Sequence, residues 1–230
     1  MSTNGRPSLS LLGAFELRCG AEPVALPLSA QRLLAFVALH DRPLRRVFVA
    51  GTLWADATDE HAAGSLRSAL WRLRRSGHQL VDASSSHVRL AAGIDVDVQR
   101  VAALARRLID GSAGTNGATP PGAELLPDWY EDWVLLERER LRQLLLHAFE
   151  TLAERRIATG DLGHALEAAL AVVRYEPLRE SAHRLLIRIH LAEGNIAEAL
   201  RQYELCRRLL RDRLGLRPSR QLDDLVAGLR

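Results

Sequence analysis

Two stretches of the chain repeat at an offset of 34 residues, and this period limits the folds open to it. Gly160-Asp161 and Gly194-Asn195 mark equivalent turns, 34 residues apart. At the same offset Ala148 matches Ala182, Leu152 matches Leu186, Ala158 matches Ala192, Ala165 matches Ala199 and Leu166 matches Leu200. Paired helices joined by a Gly turn, with small residues where they cross, form a repeating unit that cannot bury its apolar face alone. Neighbours must stack into a solenoid with a concave surface. Ahead of the repeat, Leu141, Leu144, Leu145, Ala148 and Leu152 share one side of a long helix running to about Thr159. Pro177 separates one helical pair from the next, and Pro218 starts a last helix through Leu229.

The first hundred residues read differently. Leu9 to Arg18 has the character of one strand, turned at Cys19-Gly20-Ala21, with Val24 to Leu28 as a short partner. Ser29 is placed to cap a helix reaching about His40, with Leu33, Leu34, Phe36 and Val37 as its apolar side. After the break at Asp41-Arg42-Pro43, a second helix over 46–54 would bury Val47, Ala50, Leu53 and Trp54. Arg45 and Arg46 stand at its start, where positive charge opposes the helix dipole. A phosphate from outside would relieve that opposition; simple solvation is the alternative.

The third helix, over 60–77, is the most informative stretch. Ala62, Leu66, Ala69, Leu70 and Leu73 recur at helical spacing, and Gly77 is suited to end the helix. Its opposite face carries Gly64, Ser68, Trp71 and Arg75. Arg67 and Arg74 flank that face on one side and Arg72 on the other. No acid occurs from Ala62 to Arg75. Arg-only charge around small central residues suits a DNA groove, where Arg reads guanine or phosphate; a solvated basic face has the same composition. Leu80 to Asp82, the small tip Ala83 to Ser86, and His87 to Leu90 then form a hairpin. Strands, three helices and a terminal hairpin make a winged helix-turn-helix, whose third helix enters the major groove. The tip residues Ser84, Ser85, Ser86, His87 and Arg89 would meet the neighbouring backbone or minor groove. For His87 an ordinary surface strand position is the competing reading.

The fold expected is therefore mainly α with small β-sheets: a winged helix-turn-helix followed by an all-α tetratricopeptide-like domain. Residues 1–99 are expected to be the DNA-binding domain and 127–230 the helical domain. Between them, 100–126 would hold a connecting helix (about Val101 to Ile109, after the alternating return Ile94 to Val98) and a linker from Gly111 to Gly122. Trp129, Tyr130 and Trp133 would form a docking core at the start of the helical half.

Charge supports the division. Residues 1–110 hold fourteen Arg against ten acids, and residues 111–230 seventeen against eighteen. The basic excess thus lies with the third helix. Every basic residue other than His is Arg, whose planar fork suits phosphate and base edges. Cys19 and Cys206 match no metal spacing, and the eight His are scattered. No catalytic residue, metal site or cofactor is expected: G-x-S-x-G, H-E-x-x-H and the phosphate loop G-x-x-x-x-G-K-[ST] are missing from the sequence. The N-terminus has no apolar signal region, and no apolar run approaches the roughly 20 residues that span a bilayer. A cytoplasmic protein without a membrane partner is expected.

These residues resemble a family, the Streptomyces antibiotic regulatory proteins (SARPs), in which an OmpR-like winged helix precedes a bacterial transcriptional activator domain. The likeness runs from about Leu9 to Leu229. It is carried by Leu53-Trp54, Ser65 to Arg75, Pro127 to Trp133, Pro177 to Glu180 and Leu214 to Ser219. The resemblance implies binding to double-stranded promoter DNA, often as a dimer on direct repeats, and activation of transcription with RNA polymerase holoenzyme as partner. It places recognition on the helix holding Arg67, Ser68, Trp71, Arg72 and Arg75. The alternative left open is a tetratricopeptide-type protein–protein adaptor without specific DNA binding.

Overall fold

The computed structural model describes residues 6–112 and 123–229. The described residues are mainly helical, with two small sheets. They form two compact units: residues 6–102 with 123–141, and residues 103–112 with 142–229. Most of the expected linker, 113–122, lies outside the described residues.

Along the first unit run β1 (Pro7–Ser10), β2 (Glu16–Cys19), β3 (Glu22–Pro23), α1 (Leu28–Ala38), β4 (Leu44–Arg45), α2 (Arg46–Leu53), α3 (Asp59–Arg75), β5 (Val81–Ala83), β6 (His87–Leu90), β7 (Asp95–Val96) and the start of α4 (Asp97–Asp110). One sheet has the order β3-β2-β1-β7 and the other β4-β6-β5. Leu9 lies opposite Leu17 on β2 and Val96 on β7, and all three are buried. The Asp97 carboxylate accepts from Leu11 N and Leu12 N, each at 3.0 Å, and ties the start of α4 to the segment after β1.

Three local expectations are corrected. The single strand expected over Leu9 to Arg18 is a hairpin, because Gly13 takes φ +88° and reverses the chain. A side chain there would be strained, so a glycine in an apolar run carries the turn. Ser29 does not cap α1; Pro27 holds that position without a side-chain bond. On α2, Val49, Ala50 and Leu53 are buried, while Val47 is 82% exposed and Trp54 is half-buried. The buried Leu44 of β4 leads directly into α2, so the strand sets the phase of a helix little longer than two turns.

Residues 123–141 pack within this first unit. Gly13 N donates to Glu124 O (2.7 Å) and Leu126 N to Leu11 O (2.9 Å). Phe15 stacks on Trp129, and Trp133 meets Phe36 edge-on at 5.2 Å between ring centroids. Arg138 binds the carbonyls of Leu125, Leu126 and Trp129. The aromatics Trp129 and Trp133, which the sequence assigned to the start of the helical half, therefore pack against the turn between β1 and β2 and against α1. Tyr130 is not among the packed rings, at 76% exposure.

The second unit takes the end of α4 and then α5 (Asp132–Ala158) from residue 142, α6 (Leu162–Tyr175), α7 (Glu180–Ala192), α8 (Ile196–Leu214) and α9 (Arg220–Asp224). A short 3-10 turn, Ala227–Leu229, follows, so the single last helix expected from Pro218 is two pieces. The repeat reappears in three dimensions. Gly160 and Gly194 turn at φ +76° and +77°; Ala165 and Ala199 are fully buried, as are Ala148 and Ala182. Ala158 and Ala192 are both exposed. Cys206 is packed with Ile187, Tyr203 and Leu210, and burial pushes its thiol up to about 12.

His183 on α7 is also fully buried. Its Nε2 lies 2.9 Å from Pro177 O and its Nδ1 2.6 Å from Gln202 Nε2. The carbonyl can only accept, so Nε2 carries the proton and Nδ1 accepts from the amide. Burial holds the imidazole below its ordinary 6.5, against the opposing pull of Pro177 O and Glu180. A depressed value means the unfolded chain takes up the proton first. The contribution of His183 to stability is complete above pH 6.5 and declines as pH falls below it. His183→Gln should flatten that part of the stability–pH curve in urea melts; an unchanged slope would place the titration elsewhere.

Candidate nucleic-acid interface

The seventeen residues of α3 begin at Asp59, with Thr58 as N-cap; its hydroxyl oxygen accepts from His61 N at 3.5 Å. Asp59 and Glu60 in the first turn complement the helix dipole. Ser76 closes the helix, and Gly77 at φ +80° turns the chain away. Ala62, Leu66, Ala69, Leu70 and Leu73 are buried against the unit's core. The reverse face lies open: Arg67, Ser68, Trp71, Arg72, Arg74 and Arg75 are all exposed.

Those arginines are not equivalent. Arg72 Nη1 donates to Ser29 Oγ at 2.8 Å, which holds it against the first turn of α1. Arg75 carries its guanidinium over the Trp71 ring, 4.8 Å from the centroid. Arg74 lines a cleft of about 1000 Å³ between the end of α3 and the wing, together with Leu73, Gly77, Val88 and Arg89.

The wing is the β5–β6 hairpin, joined by β4. Asp82 faces Arg89 across it, and the two pair at 3.1 Å. Ser84 Oγ accepts from His87 N at 3.0 Å and shapes the tip, leaving Ser85 exposed. His87 is half-buried, its Nδ1 2.9 Å from Ser86 Oγ. In β4, Arg45 pairs with His87 through the backbone and its side chain is exposed. Arg46 instead clasps the tip: its N–H reaches Ser86 O (2.9 Å) and its Nη1 reaches Ser84 O (3.1 Å).

The structure thus brings the eleven candidate residues into one unit. It also gives Arg46, Arg72 and Arg89 protein partners that sequence reading missed. The Ser84 carbonyl, the Ser29 hydroxyl and the Asp82 carboxylate are those partners, in that order. Asp82 was findable, because hairpin register sets it opposite Arg89; Ser29 is 43 residues from Arg72 and had no sequence signal. Among the described residues no three His, Cys, Asp or Glu come together as a metal site. No helix among them is long and apolar enough to cross a membrane.

A winged helix-turn-helix is thus followed along the chain by a tetratricopeptide-like helical array. The family model of the bacterial transcriptional activator domain matches residues 98–230, and the chain belongs to that family. With the winged helix ahead of that domain, the protein is a SARP-type regulator. The chain is similar to the regulatory protein AfsR of Streptomyces coelicolor (strain ATCC BAA-471 / A3(2) / M145), at 28% identity over 233 residues. That match covers 98% of this chain and 22% of AfsR. Among solved structures it is similar to Mycobacterium tuberculosis EmbR in complex with a low-affinity phosphopeptide, with a TM-score of 0.72 at 21% identity. The likeness covers 96% of this chain and 64% of that one, and at this identity it concerns the fold. The chain therefore spans about a fifth of AfsR and under two thirds of EmbR.

Proposed function

We propose that this regulator binds duplex promoter DNA sequence-specifically through α3 and activates transcription in the cytoplasm. The observation that carries the reading is the outer face of α3, where exposed Arg67, Ser68, Trp71 and Arg75 stand on a stretch without an acid. Residues 1–99 are assigned to DNA, 100–126 to the connection, and 127–230 to contacts within the transcription complex, with RNA polymerase holoenzyme as partner. Arg67 is the base reader. Arg72, anchored on Ser29, contacts phosphate, alongside Arg45 and Arg74. Ser85 and His87 approach the backbone from the wing, which Arg46 and Arg89 brace.

Titrations on a selected duplex and its scrambled counterpart test this. Arg67→Ala should weaken only the selected duplex, by about 1–3 kcal/mol. Arg45→Ala and Arg72→Ala should weaken both and lower the salt slope by about one unit each. Equal losses on both duplexes for Arg67→Ala would remove it as a base reader. No duplex binding at all would leave the adaptor reading.

One winged helix makes few base contacts, so two copies on a direct repeat are proposed, with half-sites about 10–10.5 bp apart on one side of the duplex. Inserting about 5 bp should abolish cooperative footprints, and inserting about 10 bp should restore part of the effect. Equal protection at every spacing would mean independent monomers.

A further inference from the structure

Resting on that DNA-reading proposal, we infer that Trp71 reads thymine through its 5-methyl group, with Arg75 holding the indole in place. Trp71 is a large apolar side chain 56% exposed at the centre of the outward face of α3. The helix does not need it for its core, which Leu66, Ala69, Leu70 and Leu73 supply from the opposite side. An exposed indole would ordinarily sample several rotamers. Here Arg75, one turn further on, lays its guanidinium on the ring at 4.8 Å, a cation–π contact that covers part of the ring surface. What remains outward is an oriented, flat apolar surface between arginines.

The major groove offers such a surface one apolar match. The edges of guanine, cytosine and adenine carry hydrogen-bonding groups, whereas thymine adds a methyl group to its acceptor. An indole pressed onto the amino group of cytosine would strip water from a donor without replacing its bond. Pressed onto a methyl it removes apolar surface from water on both sides. Ser68, one turn earlier on the same stripe, is small enough to leave the approach open. The expected preference is therefore for thymine at one or two positions beneath Trp71, flanked by positions read by Arg67.

Uracil tests this directly, since it pairs as thymine does and lacks only the methyl. The full chain is first used to select a binding duplex from a random pool, and each thymine of that duplex is then replaced by uracil. For the unsubstituted protein, uracil at one or two positions should weaken binding roughly fourfold per methyl, the equivalent of one buried methyl-sized group. In Trp71→Ala the same replacements should change nothing, while the guanine preference owed to Arg67 persists. Arg75→Ala should shrink the uracil penalty, besides its general loss of affinity. Circular dichroism of Trp71→Ala should be unaltered. A selected duplex with no uracil penalty, or with the same penalty in Trp71→Ala, overturns this inference and leaves the DNA reading standing. Failure to enrich any duplex overturns both.

Discussion

Ala199→Trp is expected to destabilise the helical unit by at least about 3 kcal/mol. Ala199 has no exposed surface and sits among Ile187, Tyr203, Cys206 and Leu210, where α7 and α8 cross. Its repeat mate Ala165 is equally buried, so the small residue belongs to the geometry of the repeat. One extra methylene in a packed core costs about 1–3 kcal/mol. An indole exceeds that many times over and can be housed only by separating the helices. A loss of at least about 3 kcal/mol would consume much of the roughly 5–15 kcal/mol that holds a domain together. Thermal melts by far-ultraviolet circular dichroism measure it. Ala192→Trp is the control: it lies in the same helical pair but is exposed, and should shift stability by no more than about 0.5 kcal/mol. If the two variants melt alike, the crossing is not where the repeat places it.

What the sequence disclosed follows from what periodicity can encode. The buried face of α3 was legible because five apolar residues at helical spacing leave only one face to bury. The turns at Gly160 and Gly194 were legible because a left-handed backbone between two apolar helices selects glycine. Partners across space were not legible. Arg46, Arg72 and Arg89 looked alike in sequence, yet Ser84, Ser29 and Asp82 hold them in three different ways. Nor could spacing say which surface Trp129 and Trp133 would meet, since an aromatic cluster announces burial without naming its partner. Phe15 and Phe36 in the first unit supply that partner. Short elements failed for another reason. Residues 9–18 have the apolar content of a strand throughout, and only the φ of +88° at Gly13 reveals two. On α2, little more than two turns cannot fix a phase, and Val47 and Val49 exchanged roles.

The second large effect concerns the charge buried beside the helical repeat. Glu150 of α5 is 8% exposed, and Arg179, just ahead of α7, grips it with both arms of its fork: Nε to Oε1 at 2.7 Å and Nη2 to Oε2 at 2.8 Å. The Ser181 hydroxyl donates to Oε1 as well. Burial pushes the Glu150 carboxyl up, but the bonds from Arg179 and Ser181 outweigh it, and the net direction is down from 4.5. Arg179→Met removes the cation and leaves a desolvated carboxylate, which should cost about 2–3 kcal/mol near neutral pH. That is less than the roughly 3–5 kcal/mol for a fully enclosed pair, because part of the arginine reaches water. Glu150→Gln keeps a neutral acceptor and should cost about 1 kcal/mol. The double variant Glu150→Leu with Arg179→Met should recover most of the loss, since neither charge then remains to be solvated. The pH dependence supplies the sign. A depressed carboxyl adds stability that is complete above pH 4.5 and lost as acid protonates it, so the parent and Arg179→Met should converge below that pH. Urea melts of the four proteins at neutral and acid pH measure these differences. A deficit in Arg179→Met that persists unchanged in acid would mean that Arg179 contributes through packing of its stem, and that the carboxylate is not the group it serves.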